Sequence, residues 1–380
     1  MKLKNLLKLL KLFSVIQTII FIISNKTYSS HLSKANQTQL DYVHSYRIYN
    51  VPKKMDKYEI EPISNHRNFE IEIKKKNNFN KIKNENSILS YIIYKNGKII
   101  VDEYDNKLIN NNTKLASHSI AKSMTSYVLA HAICAGYIKD INHKIEDYKI
   151  LSNTLYYGQI IKNLINMRSG DQNYSTYKSS EFYNSLLLKK YKSFQTNLNI
   201  DYQNTTQSKE IKYNYNHMPP DIVLNYIKYR SKENFQKILK SKFNKKTKIK
   251  NSVFFIKDKD GDAVASSWFY ATRYDYLRIA EAMMIDWKNN TCEGKYLKQI
   301  YKTRKKKAQN WKPNKIEHNA SSYGGFFHFD ISGLKKKKIA AMNGHGGQRI
   351  LIDFENEIIV SIQAIRMDYN YKKLVLDPFK

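Results

Sequence analysis

Cysteine is scarce in this sequence, whose 380 residues contain only Cys134 and Cys292. Two cysteines are too few for the disulfide framework of a small secreted domain. Cys134 lies in an apolar segment that reads as a helix, so we expect it to serve core packing. The ten histidines include no HExxH motif and no cluster at ligand spacing. We therefore expect neither a metal site nor a cofactor.

Acidic residues are also few, with 33 Asp and Glu against 65 Lys and Arg, which gives a formal net charge of +32. Such a charge could indicate binding to nucleic acid or to an anionic surface. The lysines, however, are spread along the whole chain, and no basic motif is interleaved with aromatic residues. A general enrichment in lysine along the chain explains the positive charge better than a binding site does. We therefore expect no nucleic-acid partner.

A long hydrophobic run is missing as well. The N-terminal apolar stretch, Leu12 to Ile23, has twelve residues, too few to span a bilayer alone. Lysines between Lys2 and Lys11 precede it, which is the arrangement of a secretory signal. Residues 1–30 are therefore predicted to be a signal peptide or an uncleaved anchor, with possible membrane attachment through residues 5–24. Either way, we expect the rest of the chain to be exported, to the periplasm or outside the cell.

The remaining chain divides into two regions that differ in composition and in their pattern of apolar residues. Residues 31–86 are polar and are predicted to form a partly irregular N-terminal extension. The segments Ile88 to Tyr94 and Lys98 to Tyr104 are rich in β-formers, and Asn96-Gly97 between them is a strong hairpin signal. Residues 87–380 are predicted to form one domain.

Within that domain, helical patterns occupy residues 117–305, and strand patterns return in residues 322–366, including 324–330 as one strand. Early and late strands separated by helices predict an α+β fold whose sheet is formed by residues 87–110 and 322–366. The capping box Thr272-x-x-Asp275 predicts the start of one long helix. A further helix is predicted at 181–191.

The motif that carries chemistry is Ser119-x-x-Lys122, at the head of a long apolar helix. Residues i and i+3 share a helix face, so the hydroxyl and the amine would lie side by side. Backbone N–H groups in the first helical turn lack intrahelical partners and are available to a reacting group. Ser-x-x-Lys alone is weak evidence, because Ser119 could be an ordinary helix N-cap.

The context strengthens the motif. The stretch ASHSIAKSMTSYVLAHAICAGYI resembles the Ser-x-x-Lys helix of the serine β-lactamase and penicillin-binding fold, and the resemblance extends over about residues 86–366. More narrowly, it is similar to class C-like esterases, D-aminopeptidases and aminohexanoate-dimer hydrolases. The resemblance implies an antiparallel sheet of N- and C-terminal segments, helices on its faces and an all-helical subdomain. Residues 366–380 are short for the terminal helix of this family.

Two further motifs of that family have counterparts. Its Tyr-x-Asn or Tyr-x-Ser motif matches Tyr215-Asn216-His217, where His217 departs from the pattern, and Tyr213 offers a competing register. Its Lys-Thr-Gly motif, often His-x-Gly in the esterases and amidases, matches His345-Gly346-Gly347, followed by Gln348. Glycines there would let a ligand approach the backbone closely.

The roles implied by the resemblance are those of acyl transfer. Ser119 would attack a carbonyl, and Lys122, if neutral, would accept its proton. Tyr215 would pass the proton to the leaving group or help to activate water. The N–H groups of Ser119 and Gln348 would form the oxyanion hole. His345 would orient either Tyr215 or the polar end of the substrate. Gly347 and His217 would lie on the substrate side.

The sequence leaves more than one function open. The first is an exported serine hydrolase that acts on an ester or amide, or on a β-lactam, with a small-molecule or peptide-like substrate. The second is a catalytically impaired protein of the same fold that binds peptidoglycan or a protein partner, which His217 would suit. A basic surface- or nucleic-acid-binding protein is the third, and it is supported by charge alone.

Overall fold

The computed structural model describes residues 56–73, 88–171, 193–307, 320–365 and 369–380. The predicted signal or anchor, most of the predicted N-terminal extension and the predicted helix at 181–191 lie outside these residues. Along the described parts of the chain, no helix combines the length and the apolar character needed to cross a membrane.

Strands open and close the described chain. In chain order they are β1 (Lys57–Ile60), β2 (Glu70–Ile71), β3 (Ile88–Lys95), β4 (Lys98–Tyr104), β5 (Leu115–Ala116), β6 (Val253–Ile256), β7 (Phe269–Ala271), β8 (Lys305–Lys306), β9 (Ala320–Gly324), β10 (Phe327–Ile331), β11 (Ile339–Gly344), β12 (Gln348–Asp353) and β13 (Ile358–Ala364). Nine of them form a large sheet in the order β2-β4-β3-β13-β12-β11-β10-β9-β8.

The large sheet joins the two ends of the domain, because β13 pairs antiparallel with β3. Its other pairings are also antiparallel, apart from the short parallel contact of β2 with β4. The predicted hairpin β3–β4 is present, with Asn96 (φ 50°) and Gly97 (φ 87°) both in the left-handed region that its turn requires. The predicted α+β class and the antiparallel sheet of early and late segments are therefore confirmed.

A second, smaller sheet has the order β1-β6-β7-β5 and was not anticipated. Its strands are two to four residues long, too short for a clear alternation of apolar and polar residues. Strand β1 comes from residues 31–86, where the sequence favoured irregular structure. Strand β5 leads directly into the segment that carries the predicted nucleophile Ser119.

Helices fill the middle of the chain. They are α1 (Ile120–Cys134), α2 (Ile161–Ile165), α3 (Phe194–Asp201), α4 (Met218–Ser231), α5 (Phe235–Lys237), α6 (Asn244–Thr247), α7 (Arg273–Lys288) and α8 (Cys292–Thr303), with a π-helical turn (Ile238–Phe243) between α5 and α6. Helix α1 is buried along nearly its whole length and packs against α4 and α8. Helix α7 begins at the predicted capping residue Thr272, whose hydroxyl accepts a hydrogen bond from the Asp275 N–H.

Three local predictions were wrong. Residues 324–330 form a hairpin rather than one strand, because Gly325 (φ 56°) and Phe326 (φ 62°) make a turn between β9 and β10. The apolar residues between Ile160 and Met167 predict a helix that ends at Ser169-Gly170, but the helix ends at Ile165, and Met167 itself has a φ of 54°. Cys134 was expected to serve packing alone, but it forms a disulfide with Cys292. The disulfide joins residues 158 positions apart, so only the packing of α1 beside α8 brings the two sulfurs together.

The C-terminal residues form a short terminal helix. It consists of a π-helical turn, Lys372–Leu376, followed by a 3-10 turn, Asp377–Phe379. Leu374, Val375 and Phe379 are buried in the same apolar cluster as one face of the large sheet. The helix is therefore curtailed but keeps its role of covering the sheet.

Candidate active site

Ser119 lies in the short connection between strand β5 of the small sheet and helix α1. The backbone N–H of Ser117 donates to the Phe269 carbonyl at 2.8 Å, and the Ser117 Oγ accepts from the Phe269 N–H at 3.2 Å. His118 then takes a φ of +45°, a conformation in which histidine is found more often than most residues. This turn places Ser119 at the N-cap of α1, where its hydroxyl makes no capping hydrogen bond within the described helix. Ser119 is half-buried.

Lys122 lies one turn further along α1 and faces the same way. Its Nζ is 3.2 Å from the Ser119 Oγ and also donates to the Ser266 carbonyl. The lysine side chain has no exposed surface. Burial disfavours the ammonium form and lowers the pKa of Lys122 to about 7, although the carboxylate of Asp221 opposes this shift. The site therefore holds an amine with a substantial neutral fraction near pH 7, beside the hydroxyl of a half-buried serine.

Tyr215 and His217 reach the same amine from the segment before α4. The centroid of the Tyr215 ring is 5.0 Å from the Lys122 Nζ, and the His217 Nδ1 is 3.5 Å from it. The competing Tyr213 ring instead lies 5.3 Å from that of Tyr323. The tyrosine register that starts at 215 is thus the one that faces Lys122, and the residue two positions later, His217, takes the place beside the amine.

Asn216, between these two residues, fixes their segment. Its amide donates to the Asp171 carboxylate, and its Oδ1 accepts from the Met218 N–H at 3.0 Å, at the start of α4. Asp171 also accepts a hydrogen bond from the Tyr156 hydroxyl at 2.5 Å. Because Asn216 turns inward to these partners, its neighbours on either side are turned toward Lys122.

The glycine-rich motif forms the turn between β11 and β12. Gly346 (φ 74°) and Gly347 (φ 88°) adopt the left-handed conformation that this turn uses. The exposed His345 ring lies 5.8 Å from the His118 ring, next to Ser119 in the chain. Gln348 opens β12 and pairs with Gly344 at the end of β11. Gly347 is anchored through its carbonyl, which accepts from the Tyr369 hydroxyl at 2.5 Å.

The predicted residues thus fall into two groups on either side of the N-terminus of α1. Lys122, Tyr215 and His217 surround the amine on one side of Ser119. The turn that carries His345, Gly347 and Gln348 contacts the residues just before Ser119 on the other. His217 was expected on the substrate side, whereas the structure places its Nδ1 at the lysine.

The sequence analysis did not identify two residues of the site. Asp221, one turn after His217 on α4, is buried, and burial raises the pKa of its carboxyl group to about 7, while the nearby Lys122 opposes that shift. Its Oδ1 accepts from the Ser266 N–H at 2.8 Å. The i, i+4 spacing from His217 could have pointed to Asp221. No local signal identifies Ser266, whose backbone joins the lysine to this carboxylate.

No group of three His, Cys, Asp or Glu side chains within the described ranges could hold a metal ion. The chemistry available from the residues themselves is nucleophilic. A half-buried hydroxyl has a possible proton acceptor at 3.2 Å. The N–H groups of the first turn were expected to be available to a reacting group, but those of residues 120–122 donate to the carbonyls of residues 117–119.

No family model matches this sequence, and no curated protein sequence matches it either. Solved structures do. A Bacillus anthracis protein with the provisional name 6-aminohexanoate-dimer hydrolase is similar, with a TM-score of 0.64 and 13% sequence identity, over 86% of this chain and 89% of that one.

Two further solved structures are similar. The octameric penicillin-binding protein homologue of Pyrococcus abyssi has a TM-score of 0.58 and 14% identity, over 78% of this chain and 76% of its own. A provisionally named β-lactamase of Bacteroides dorei has a TM-score of 0.56 and 12% identity, over 74% and 86% of the two chains. At such low identity these similarities show the fold, and they confirm the resemblance to the β-lactamase and penicillin-binding fold.

Proposed function

We propose that this protein is an exported serine hydrolase that cleaves an amide or ester through an acyl-enzyme on Ser119. The observation that carries the proposal is the buried Lys122 amine, 3.2 Å from the Ser119 hydroxyl and with a pKa lowered to about 7. A lysine with its ordinary pKa would be protonated and could not act as a base.

The first half of the reaction forms the acyl-enzyme. Neutral Lys122 accepts the Ser119 proton as the serine oxygen attacks the substrate carbonyl. The negative charge that develops on the carbonyl oxygen is stabilised by the N–H groups of Ser119 and Gln348, whose loss would cost about a hundredfold or more in rate. The proton then passes to the leaving amine or alcohol, with Tyr215 as the group that relays it. The bond to the leaving group breaks, and the acyl group stays on Ser119.

The second half releases the product. Water attacks the acyl carbon, its proton passes back through Tyr215 and Lys122, and Ser119 regains its own proton. The atoms balance as simple hydrolysis, with one water consumed for each bond cleaved. The turn with His345 and Gly347 borders the space that the substrate enters, and we assign it the recognition of the substrate's polar end.

Two observations support the finer points. The disulfide between Cys134 and Cys292 fits an exported protein, since disulfides persist in oxidising compartments. The Bacillus anthracis structure with a similar fold carries the provisional name 6-aminohexanoate-dimer hydrolase. Together with His345 in place of a motif lysine, this favours a linear amide or ester over a β-lactam as the substrate.

A fluorophosphonate probe tests the proposal, because it reacts with activated serines. The full chain should become labelled, and mass mapping should place the label on Ser119. Ser119→Ala should abolish labelling and the turnover of p-nitrophenyl esters and D-amino-acid amides. The control Ser241→Ala, at a half-buried serine whose hydroxyl donates to the Lys237 carbonyl, should keep both. No label on Ser119 in a folded protein would refute the enzyme and favour the impaired, peptidoglycan- or partner-binding alternative. Nitrocefin turnover would place the substrate among the β-lactams instead.

A further inference from the structure

His217 is held in a fixed position at the start of α4. It is the N-cap residue of that helix and is followed by Met218 and two prolines, which restrict the backbone where the helix begins. The anchored Asn216 precedes it. The imidazole is half-buried, and its Nδ1 lies 3.5 Å from the Lys122 Nζ, at the outer limit of hydrogen-bonding distance. Catalytic hydrogen bonds are often long in a free enzyme and shorten when substrate binds.

The neighbours of the amine restrict how it can be oriented. Among the described residues, three groups lie within hydrogen-bonding distance of the Lys122 Nζ: the Ser119 Oγ, the Ser266 carbonyl oxygen and the His217 Nδ1. A neutral amine carries two N–H groups and one lone pair. The carbonyl oxygen can only accept, so it takes one N–H. The second N–H and the lone pair are left for Ser119 and His217.

Only one of the two remaining arrangements allows catalysis. If the His217 Nδ1 carried a proton, it would donate to the lone pair of Lys122, and the amine could not accept the proton of Ser119. If Nδ1 is unprotonated, it accepts the second N–H, and the lone pair is left pointing at the Ser119 hydroxyl. The tautomer of His217 therefore decides whether Lys122 is a base toward Ser119.

We propose that His217 is a positioning residue whose unprotonated Nδ1 accepts an N–H of Lys122 and so directs the lone pair of the amine at Ser119. This inference rests on the proposed function, since it assigns a role within the same reaction. The serine O–H bond breaks, a new N–H bond forms on Lys122, and the resulting ammonium can donate to all three neighbours. The proton on the imidazole stays on Nε2 throughout.

The charges around His217 agree with this role. Burial, and secondarily the positive charge of Lys122, lowers the pKa of His217 well below its usual value, so the ring stays neutral. Among the described residues, two further titratable groups near it are Tyr215, whose ring centroid is 6.4 Å away, and Asp221, one turn further along α4. Asp221 interacts with Lys122 and would stabilise the ammonium once it forms.

The first test is the rate at which a fluorophosphonate acylates the full chain at pH 8.5, where Lys122 is neutral. His217→Ala removes the acceptor and should slow acylation tenfold or more. His217→Asn offers an amide oxygen at the same place and should restore the rate to within threefold of the original. His143→Ala changes another half-buried histidine, which contacts Tyr226 instead, and should leave the rate unchanged. If His217→Ala reacts as fast as the original, or His217→Asn as slowly as His217→Ala while unfolding at the original temperature, the inference is wrong.

A second measurement does not depend on activity. Nitrogen-15 NMR of the full chain labelled at histidine reports which ring nitrogen of His217 carries the proton. We expect the Nε2–H tautomer from pH 6 to pH 9, and an Nδ1–H tautomer or an imidazolium in that range would overturn the inference. Because the tautomer can be read even if Ser119 is never acylated, failure of the proposed function and failure of this inference are distinguishable.

Discussion

A Cβ atom at Gly344 would lie 2.5 Å from the carbonyl oxygen of Ser117. Strand β11 therefore approaches the segment that leads into α1 more closely than any other amino acid at position 344 would allow. The glycine-rich turn begins at the next residue, and Ser119 follows two residues after Ser117. This one backbone contact sets the distance between the two sides of the candidate active site.

Gly344→Ala should therefore separate the two sides of the site. The methyl group would push β11 away from Ser117, and we expect a loss of about 1–3 kcal/mol in the free energy of unfolding. Acylation of Ser119 should slow at least tenfold, because Gln348 would move with the strand. The measurement combines chemical denaturation with the rate of fluorophosphonate labelling.

Gly333→Ala is the matched control for that prediction. Gly333 has a φ of +84°, and its nearest neighbour for a Cβ is the Leu376 Cδ1 at 3.8 Å. Alanine there strains the backbone and should lower the stability of the protein. Position 333, however, lies beside the terminal helix and not beside Ser117. Its labelling rate should match that of the original chain. Equal rates for Gly344→Ala and the original chain would contradict the close-contact argument.

The activity should depend on pH through Lys122. Its pKa is lowered to about 7, and the neutral form is the one that accepts a proton. Activity should therefore approach its maximum above about pH 8, be about half of that maximum near pH 7, and fall about tenfold per unit at lower pH. The kcat/KM for an uncharged p-nitrophenyl ester, corrected for spontaneous hydrolysis, measures this profile. A fall that starts only near the ordinary lysine pKa, or full activity at pH 5, would show that Lys122 is not the base.

Asp221→Asn should move that profile in a defined direction. The Asp221 carboxylate raises the pKa of Lys122 against the effect of burial, so its removal should lower that pKa further. The acid limb should shift to lower pH, while kcat falls, because the ammonium formed in the reaction loses its neighbouring negative charge. Asp286→Asn removes a buried carboxylate that contacts Tyr127 and Lys246 instead. The Asp286→Asn variant should be less stable, but the acid limb of its pH profile should not move. A shift of the acid limb to higher pH in Asp221→Asn would refute the argument.

The disulfide should contribute to stability rather than to catalysis. Cys134 ends α1 and Cys292 begins α8, whereas Ser119 lies at the opposite end of α1. Replacing both cysteines with serine should lower the free energy of unfolding by about 2–5 kcal/mol. The rate of Ser119 labelling at 25 °C should stay within twofold.

Thermal unfolding with and without a reductant measures this contribution. The reductant should lower the unfolding temperature of the original chain and have no effect on the double serine variant. If the reductant left the unfolding temperature of the original chain unchanged, the disulfide would make no contribution to stability.

The sequence by itself determined the features that depend on neighbours in the chain. The Asn96-Gly97 turn, the Thr272 cap and the spacing of Ser119 and Lys122 on one helix face each follow from backbone preferences over a few residues. They were therefore readable without coordinates. The α+β class also followed, because strand patterns lie at both ends and helical patterns lie between them.

Only the tertiary structure decided which distant residues surround the serine. Asp221 and Ser266 approach Lys122 because α4 and the loop before β7 pack on α1, and the disulfide forms because α8 lies beside that helix. Such contacts depend on the packing of whole elements, and no short stretch of sequence encodes them. The lowered pKa of Lys122 belongs to the same class, since it arises mainly from burial by residues far along the chain.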